Sequence, residues 1–170
     1  QVEHPVTEMV TGLDLVKWQI MIVQGERLTL SQEQIKPAGW SMECRVYAED
    51  FENNFFPSSG KITDYREPGG PGVRVDSGVT KGSEVSLYYD PLIAKLVVWG
   101  RDRTEAMARM KRALVEYKIA GIETTLEFHA LVMNNPKFIQ GDLSTQFIAD
   151  EFGGEKRKSK TEGKDLELVA

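Results

Sequence analysis

The stretch Trp40–Asp50, WSMECRVYAED, decides the fold of this 170-residue chain. Its residues alternate. Met42, Cys44, Val46 and Ala48 fall on one side of an extended segment, and Glu43, Arg45, Tyr47 and Glu49 on the other. Period two predicts a half-buried strand. Its second face is polar yet carries an aromatic, which suits the wall of a site better than a face turned to bulk water. Upstream, QEQIKPAG reads as a connector, because Pro37 and Gly39 stop either kind of element from continuing. We place a domain boundary there. Before it, TEMVTGLDLVKWQIMIVQGERL predicts helix. Thr7 can cap a first turn that ends near Gly12, and Asp14 a second helix from Leu15 that Gly25 stops. Trp18, Met21 and Ile22 recur at helical spacing and are expected in the core.

Downstream, Pro57 to Trp99 reads as short strands and Gly/Pro turns, mainly antiparallel sheet. GKITDYREPGGPGVRVDSGV predicts two strands around a turn at Gly69–Gly72. SLYYDPLIAKLVVWG predicts another pair, broken at Asp90-Pro91. DRTEAMARMKRALVEYKIAG is an amphipathic helix that Thr104 can cap and Gly121 ends, with Met107, Met110, Leu114 and Tyr117 on its apolar face. TTLEFHALVMNNPKF is a second helix, stopped before Pro136. DLSTQFIADEF is a third, with Ser144 or Thr145 as cap. From Gly153 the chain becomes polar and charged and reads as a linker or tail. The expected architecture is α+β: a helical start, a strand-rich middle and a helical end.

A net charge of −5 argues against nonspecific binding to nucleic acid or anionic lipid. No apolar run approaches the roughly 18 residues that cross a bilayer. Cys44 is the single cysteine, so no internal disulfide forms, which fits a reducing compartment. PGGPG lacks the strand–loop–helix context of a phosphate-binding loop and reads as a turn. Lys111, in EAMARMKRAL, follows a methionine as biotin-acceptor lysines do, but the helical register runs through it. His4 precedes a proline, and His129 has no partner at metal-ligand spacing.

Two places carry chemistry. In QVEH, an extended backbone puts Gln1 and Glu3 on one face, an amide donor beside a carboxylate able to take a proton. As a bare pattern this also describes an ordinary solvated strand. Arg45 lies mid-strand with Glu43 and Glu49 near it on the same face. A structural ion pair accounts for that, and so does a fixed cation that stabilises a developing oxyanion.

Taken in order, QVEHPVTEMVTG, ECRVYAED, PGGPGVRVDSGV and YYDPLIAKLVVWG resemble biotin carboxylase, the ATP-dependent component of acetyl-CoA, propionyl-CoA, methylcrotonyl-CoA and pyruvate carboxylases. The resemblance runs from Gln1 to Phe152. The family's EMN-x-R stretch, which binds metal and bicarbonate just before QVEH, does not occur here, nor do its glycine-rich ATP lid and nucleotide-binding lysines. The resemblance therefore implies a C-terminal segment. Residues 1–36 would be the tail of an ATP-grasp domain, 37–152 the biotin carboxylase C-terminal domain, mainly antiparallel sheet with flanking helices, and 153–170 a charged linker or tail. It also implies roles. Gln1 and the Val2 backbone N–H would hold bicarbonate, and Glu3 would deprotonate it for attack on the γ-phosphate of ATP, giving carboxyphosphate. Arg45 would stabilise the enolate-like ureido oxygen of biotin while N1′ is carboxylated, and Asp90 would support the biotin side. ATP and Mg²⁺ would be held mainly by residues absent from this chain, so no metal ligand is assigned here. Biotin would arrive as a carrier-linked substrate. The implied partners are a biotin carboxyl carrier protein or domain, a carboxyltransferase component and a second copy of this domain, with no nucleic acid and no membrane. The implied setting is cytoplasmic, or the mitochondrial matrix in a eukaryote. The segment alone is expected to be inactive. A non-catalytic dimerisation module is the alternative, and a carbamoyl-phosphate synthetase is disfavoured by ECRVYAED and PGGPGVRVDSGV.

Overall fold

Chain order explains how the central sheet acquires two covered faces. The computed structural model describes residues 3–153. Helix α1 spans His4–Thr11, with Pro5 in its first turn, where a missing N–H costs nothing, and Gly12 at φ 72° closing it. Helix α2 spans Leu15–Val23; the Asp14 carboxylate caps it by accepting from Lys17 N. A 3₁₀ turn at Gln32–Gln34 leads to the strands. They are β1 (Trp40–Tyr47), β2 (Glu49–Asp50), β3 (Phe56–Pro57), β4 (Gly60–Lys61), β5 (Asp64–Arg66), β6 (Val73–Ser77), β7 (Glu84–Val85) and β8 (Leu92–Gly100). Helix α3 (Arg103–Glu116), strand β9 (Lys118–Ala120) and helix α4 (Leu126–Asn134) follow, then α5 (Pro136–Gln140) and α6 (Phe147–Phe152).

The main sheet has three strands in the order β1-β8-β6, all antiparallel. Strand β8 is its centre, and the run LIAKLVVWG is near-continuously apolar because both faces are covered. On one face α3 packs against β1 and β8, burying Cys44, Val46, Leu96 and Val98 against Ala106, Met107, Met110, Ala113 and Leu114. Helix α1 packs on the opposite face of the same two strands. The alternation predicted for β1 is therefore observed. So is the α+β class, with antiparallel sheets and flanking helices.

Several local expectations change. GKITDYREPGGPGVRVDSGV is not a hairpin: β5 pairs with β9 and β6 with β8, so the glycine turn passes the chain between two sheets. SLYYDPLIAKLVVWG holds one long strand rather than two, and Tyr88 and Tyr89 stand in an exposed turn before it. Asp102, not Thr104, caps α3 by accepting from Glu105 N. That helix ends at Glu116, because β9 is drawn into pairing with β5. Thr7 lies inside α1 rather than at its cap. Trp18, Met21 and Ile22 are not core: α2 buries no residue against the described chain, and Ile20, Ile22 and Val23 are exposed.

The chain divides into two compact units, residues 1–133 and 134–170. In the second, Asn135 caps α5 by accepting from Lys137 N and Phe138 N, and its Nδ2 donates to Glu151. Pro136, which stops α4, opens α5 at its first turn. Phe147 meets Phe138 in a tilted contact and Phe152 edge-on. Ser144 shapes the turn before α6 by accepting from Gln146 N, but the helix itself has no side-chain cap. The tail expected from Gly153 falls, from residue 154 on, outside the described residues.

Candidate functional site

Period two assigns the charged face. With β1 paired so that Arg45 faces Lys95 and Glu43 faces Val97, Glu43, Arg45 and Lys95 project on the side that α1 covers. Strand β6 adds Arg74 and Asp76 to that side, opposite Val97 and Lys95. Helix α1 begins at the end of the sheet where Arg45 and Lys95 lie, so Glu3, its cap residue, meets both.

Glu3 Oε1 lies 3.7 Å from Arg45 Nη2, and Lys95 Nζ donates to Glu3 Oε2 at 3.2 Å. Lys95 Nζ is also 3.9 Å from Glu43 Oε1. The Lys95 hydrogen bond, opposed by desolvation and helped by the charges of Arg45 and Lys95, holds the Glu3 carboxyl below the usual range. The side chains of Glu3 and Arg45 are 36% and 43% exposed, open enough for a small anion to reach both. Burial pushes the Glu43 carboxyl up, only partly offset by Lys95. The Arg45 guanidinium also lies 5.9 Å from the centre of the Tyr47 ring.

The backbone around Arg45 is fixed from outside the sheet. Strand β1 is an edge, and the start of α4 satisfies its free groups. Thr125 N donates to Tyr47 O, Tyr47 N donates to Thr125 Oγ1, and Thr125 Oγ1 donates to Arg45 O. His129 Nε2 also bonds Arg45 O at 2.8 Å, so that nitrogen carries the proton. Burial lowers the His129 pKa, partly offset by its bond to Arg45 O. The histidine is thus a clamp on β1.

At the other end of the face, Arg74 donates to Glu8 Oε2 at 2.6 Å and to both oxygens of Asp76 at 2.7 Å. Glu8 Oε1 accepts from Leu15 N, tying α1 to the start of α2. An open groove of about 850 Å³ between α1 and α2 is lined by Glu8, Leu13, Ile20 and Arg74 among others; Glu3, Arg45 and Lys95 do not line it.

The structure brings Glu3 and Arg45 together. Arg45 pairs with Glu3 rather than with Glu49, because the irregularity between Val46 and Tyr47 turns Glu49 into β2. Asp90 Oδ1 accepts from Leu92 N at the start of β8, and among the described residues no ion pair joins it to Arg45 or Lys95. Gln1 and Val2 lie outside the described residues. Sequence reading missed Lys95 altogether and treated Glu43 only as a neighbour of Arg45. A signal for Lys95 was present, a lone lysine inside the apolar run of a central strand. Lys111 sits within α3, away from any turn. No group of three His, Cys, Asp or Glu able to hold a metal occurs among the described residues.

Comparison with known proteins gives a consistent result. A family model described as "Biotin carboxylase C-terminal domain" matches residues 43–150, and one described as "Carbamoyl-phosphate synthase L chain, ATP binding domain" matches residues 1–31. The chain is 55% identical to a biotin carboxylase of Nostoc sp. over 88% of its length and 34% of the relative's. It is 51% identical to biotin carboxylase 1 of Bacillus subtilis over 87% of its length and 33% of the relative's. The chain thus spans about a third of the length of these curated relatives. Among solved structures, it resembles the biotin carboxylase domain dimer of Hydrogenobacter thermophilus 2-oxoglutarate carboxylase, in complex with MgADP, ADP and bicarbonate. The TM-score is 0.86 at 48% identity, covering 89% of this chain and 33% of that one.

Proposed function

Because this chain belongs to the biotin carboxylase family and carries its C-terminal domain, we propose that it supplies one wall of a site that uses ATP and bicarbonate to carboxylate N1′ of carrier-linked biotin. The observation that carries the proposal is the convergence of Glu3 and Arg45, with Lys95, on one partly open face. Glu3 accepts the bicarbonate proton; the bicarbonate oxygen so freed attacks the γ-phosphate of ATP, and the resulting carboxyphosphate releases carbon dioxide and phosphate. Arg45 then faces the ureido oxygen of biotin as the released phosphate takes the N1′ proton and negative charge develops there. A guanidinium suits both stages, since it stays charged and is held in place before the charge appears. Gln1 and the Val2 N–H are assigned to bicarbonate, and Asp90 to support on the biotin side. The nucleotide and Mg²⁺ are assigned to another part of the enzyme.

The domain scheme belongs to the same reading: an ATP-grasp tail over 1–36, the C-terminal domain over 37–152 and a charged linker from 153. The two family matches fall on either side of its first boundary. A carrier protein or domain, a carboxyltransferase component and a second copy of the domain are the proposed partners. The dimer described for the Hydrogenobacter thermophilus structure supports the last. No helix among the described residues is long and apolar enough to cross a membrane. A cytoplasmic or mitochondrial-matrix setting accords with the single, buried cysteine.

The test is biotin-dependent ATP cleavage with bicarbonate in the assembled enzyme, this chain with an ATP-grasp domain in one polypeptide or two. Arg45→Ala is expected to lower the rate about 10²–10³-fold, as loss of one fixed donor at a developing anion does. An unchanged rate returns Arg45 to a structural ion pair. No activity in a demonstrated complex leaves the chain as an assembly or dimerisation module.

A further inference from the structure

Glu43 has no part in the chemistry assigned above, yet it is the most buried charged side chain on that face. It is 5% exposed, and neither of its oxygens meets a hydrogen-bond donor among the described residues. Its nearest cation, Lys95 Nζ, stands 3.9 Å away, while the same ammonium is bonded to Glu3 at 3.2 Å. One lysine thus lies between two carboxylates, engaged with the open one and just short of the buried one. An ionised carboxylate without donors is costly in a desolvated position. Glu43 therefore either holds a proton or takes the lysine. A shift of Nζ by about 1 Å would bring it to a normal hydrogen-bond length, and the flexible lysine stem allows that movement.

We propose that Glu43 is a positioning residue: it receives the Lys95 ammonium when Glu3 takes up the bicarbonate proton, and so lets Glu3 act as a base. The inference rests on the proposed function and names a residue that this function does not use. At rest, Lys95 is bonded to ionised Glu3 and holds it acidic. As the O–H bond of bicarbonate breaks, the proton passes to Glu3, and that carboxyl becomes neutral. Its hold on the ammonium drops. Lys95 moves to Glu43 with all three of its protons, and Glu43, protonated while the lysine sits on Glu3, gives up its own proton to solvent; no proton travels through the lysine. When Glu3 later releases its proton to solvent, Lys95 returns and Glu43 is protonated again. The surrounding charges leave Glu43 as the open acceptor. Arg45 on β1 faces Glu3, while Asp76 on β6 and Glu8 on α1 are both committed to Arg74. The charge of His4, next to Glu3, also favours ionised Glu43.

The experiment measures pH profiles of bicarbonate- and biotin-dependent ATP cleavage in the assembled enzyme, for the parent, Glu43→Gln, Lys95→Met and the double variant. In Glu43→Gln the lysine loses its second seat and stays on Glu3. The acid limb of kcat/KM for bicarbonate should move to lower pH, and plateau kcat should fall about tenfold as the base weakens, with KM for ATP unchanged. In Lys95→Met the acid limb should move to higher pH. The double variant should match Lys95→Met, because Glu43 acts only through that lysine. An unchanged profile in Glu43→Gln, or a double variant in which the two effects simply add, overturns the inference while leaving the function standing. A parent without biotin-dependent activity overturns both. Should Glu43→Gln fail to fold, the Lys95→Met profile decides: an acid limb that stays in place means that Lys95 does not govern Glu3, and the inference falls.

Discussion

Glu8 shows how much a single carboxylate can hold together. It accepts from Arg74 and from Leu15 N, so one side chain links α1, β6 and the start of α2. Its side chain is 9% exposed and that of Arg74 is 32%. Burial raises the Glu8 pKa, but the bonds from Arg74 and Leu15 N and the charge of Arg74 outweigh it, and the net shift is downward. Replacing it by Gln leaves Arg74 with a neutral partner. We expect a loss of about 2 kcal/mol, below the usual value for a fully buried pair because Arg74 is partly solvated. Urea denaturation at neutral pH reads it. A group whose folded pKa is depressed stabilises the fold above its unfolded pKa and loses that effect as pH falls through the folded one. The parent and Glu8→Gln should therefore converge in stability in acid, at pH values below the ordinary glutamate range. Equal stability at neutral pH would show the pair to be without net worth. Glu43 behaves in the opposite sense. Its pKa is raised, so its contribution is fully present below the unfolded pKa and is lost as pH rises through the folded one. The two carboxylates lie on the same side of the sheet, and donors reach one and not the other, which no sequence pattern distinguishes.

Among the elements, β8 determines the most. It pairs on both edges, and its two faces carry α3 and α1. Leu96 on the α3 side is fully buried. Leu96→Ala should cost about 3 kcal/mol through lost transfer energy and a residual cavity, read as a lower urea midpoint with an unchanged slope. A cost under about 1 kcal/mol would mean that the α3 layer collapses into the space. The close passage of β8 into α3 rests on Gly100, where an added Cβ would stand 2.5 Å from Ala106 N, against backbone that cannot yield. Strand and helix identities here were legible because alternation and helical spacing are local. Pairing was not. GKITDYREPGGPGVRVDSGV looked like a hairpin because adjacent strands usually pair, yet β5 and β6 found partners in β9 and β8. The end of α3 was misplaced for the same reason: Tyr117 could have continued the helix, but the β5–β9 pairing stops it at Glu116.

The whole molecule keeps one reporter of its integrity. Cys44 lies under α3 at 3% exposure, and burial pushes its thiol up to about 12. A thiol reagent at mildly alkaline pH should leave it unmodified in the folded chain and modify it in denaturant, since only the thiolate attacks. Rapid reaction in native buffer would show that β1 and α3 separate locally, below the global unfolding free energy. Cooperative protection is expected, because the strand that carries Cys44 also carries Arg45 and is held on its outer edge by Thr125 and His129. Residue order alone determined the α+β class, the two-faced character of Trp40–Asp50, the capping of α2 by Asp14 and the family motifs around Glu3 and Arg45, because each depends on neighbours within a few residues. Only the tertiary structure decided that Glu3 closes onto Arg45, that Lys95 stands between Glu3 and Glu43 and that α2 buries no residue within the described chain. Those outcomes depend on strand register and helix placement, which are set by long-range packing and leave no local periodicity to read.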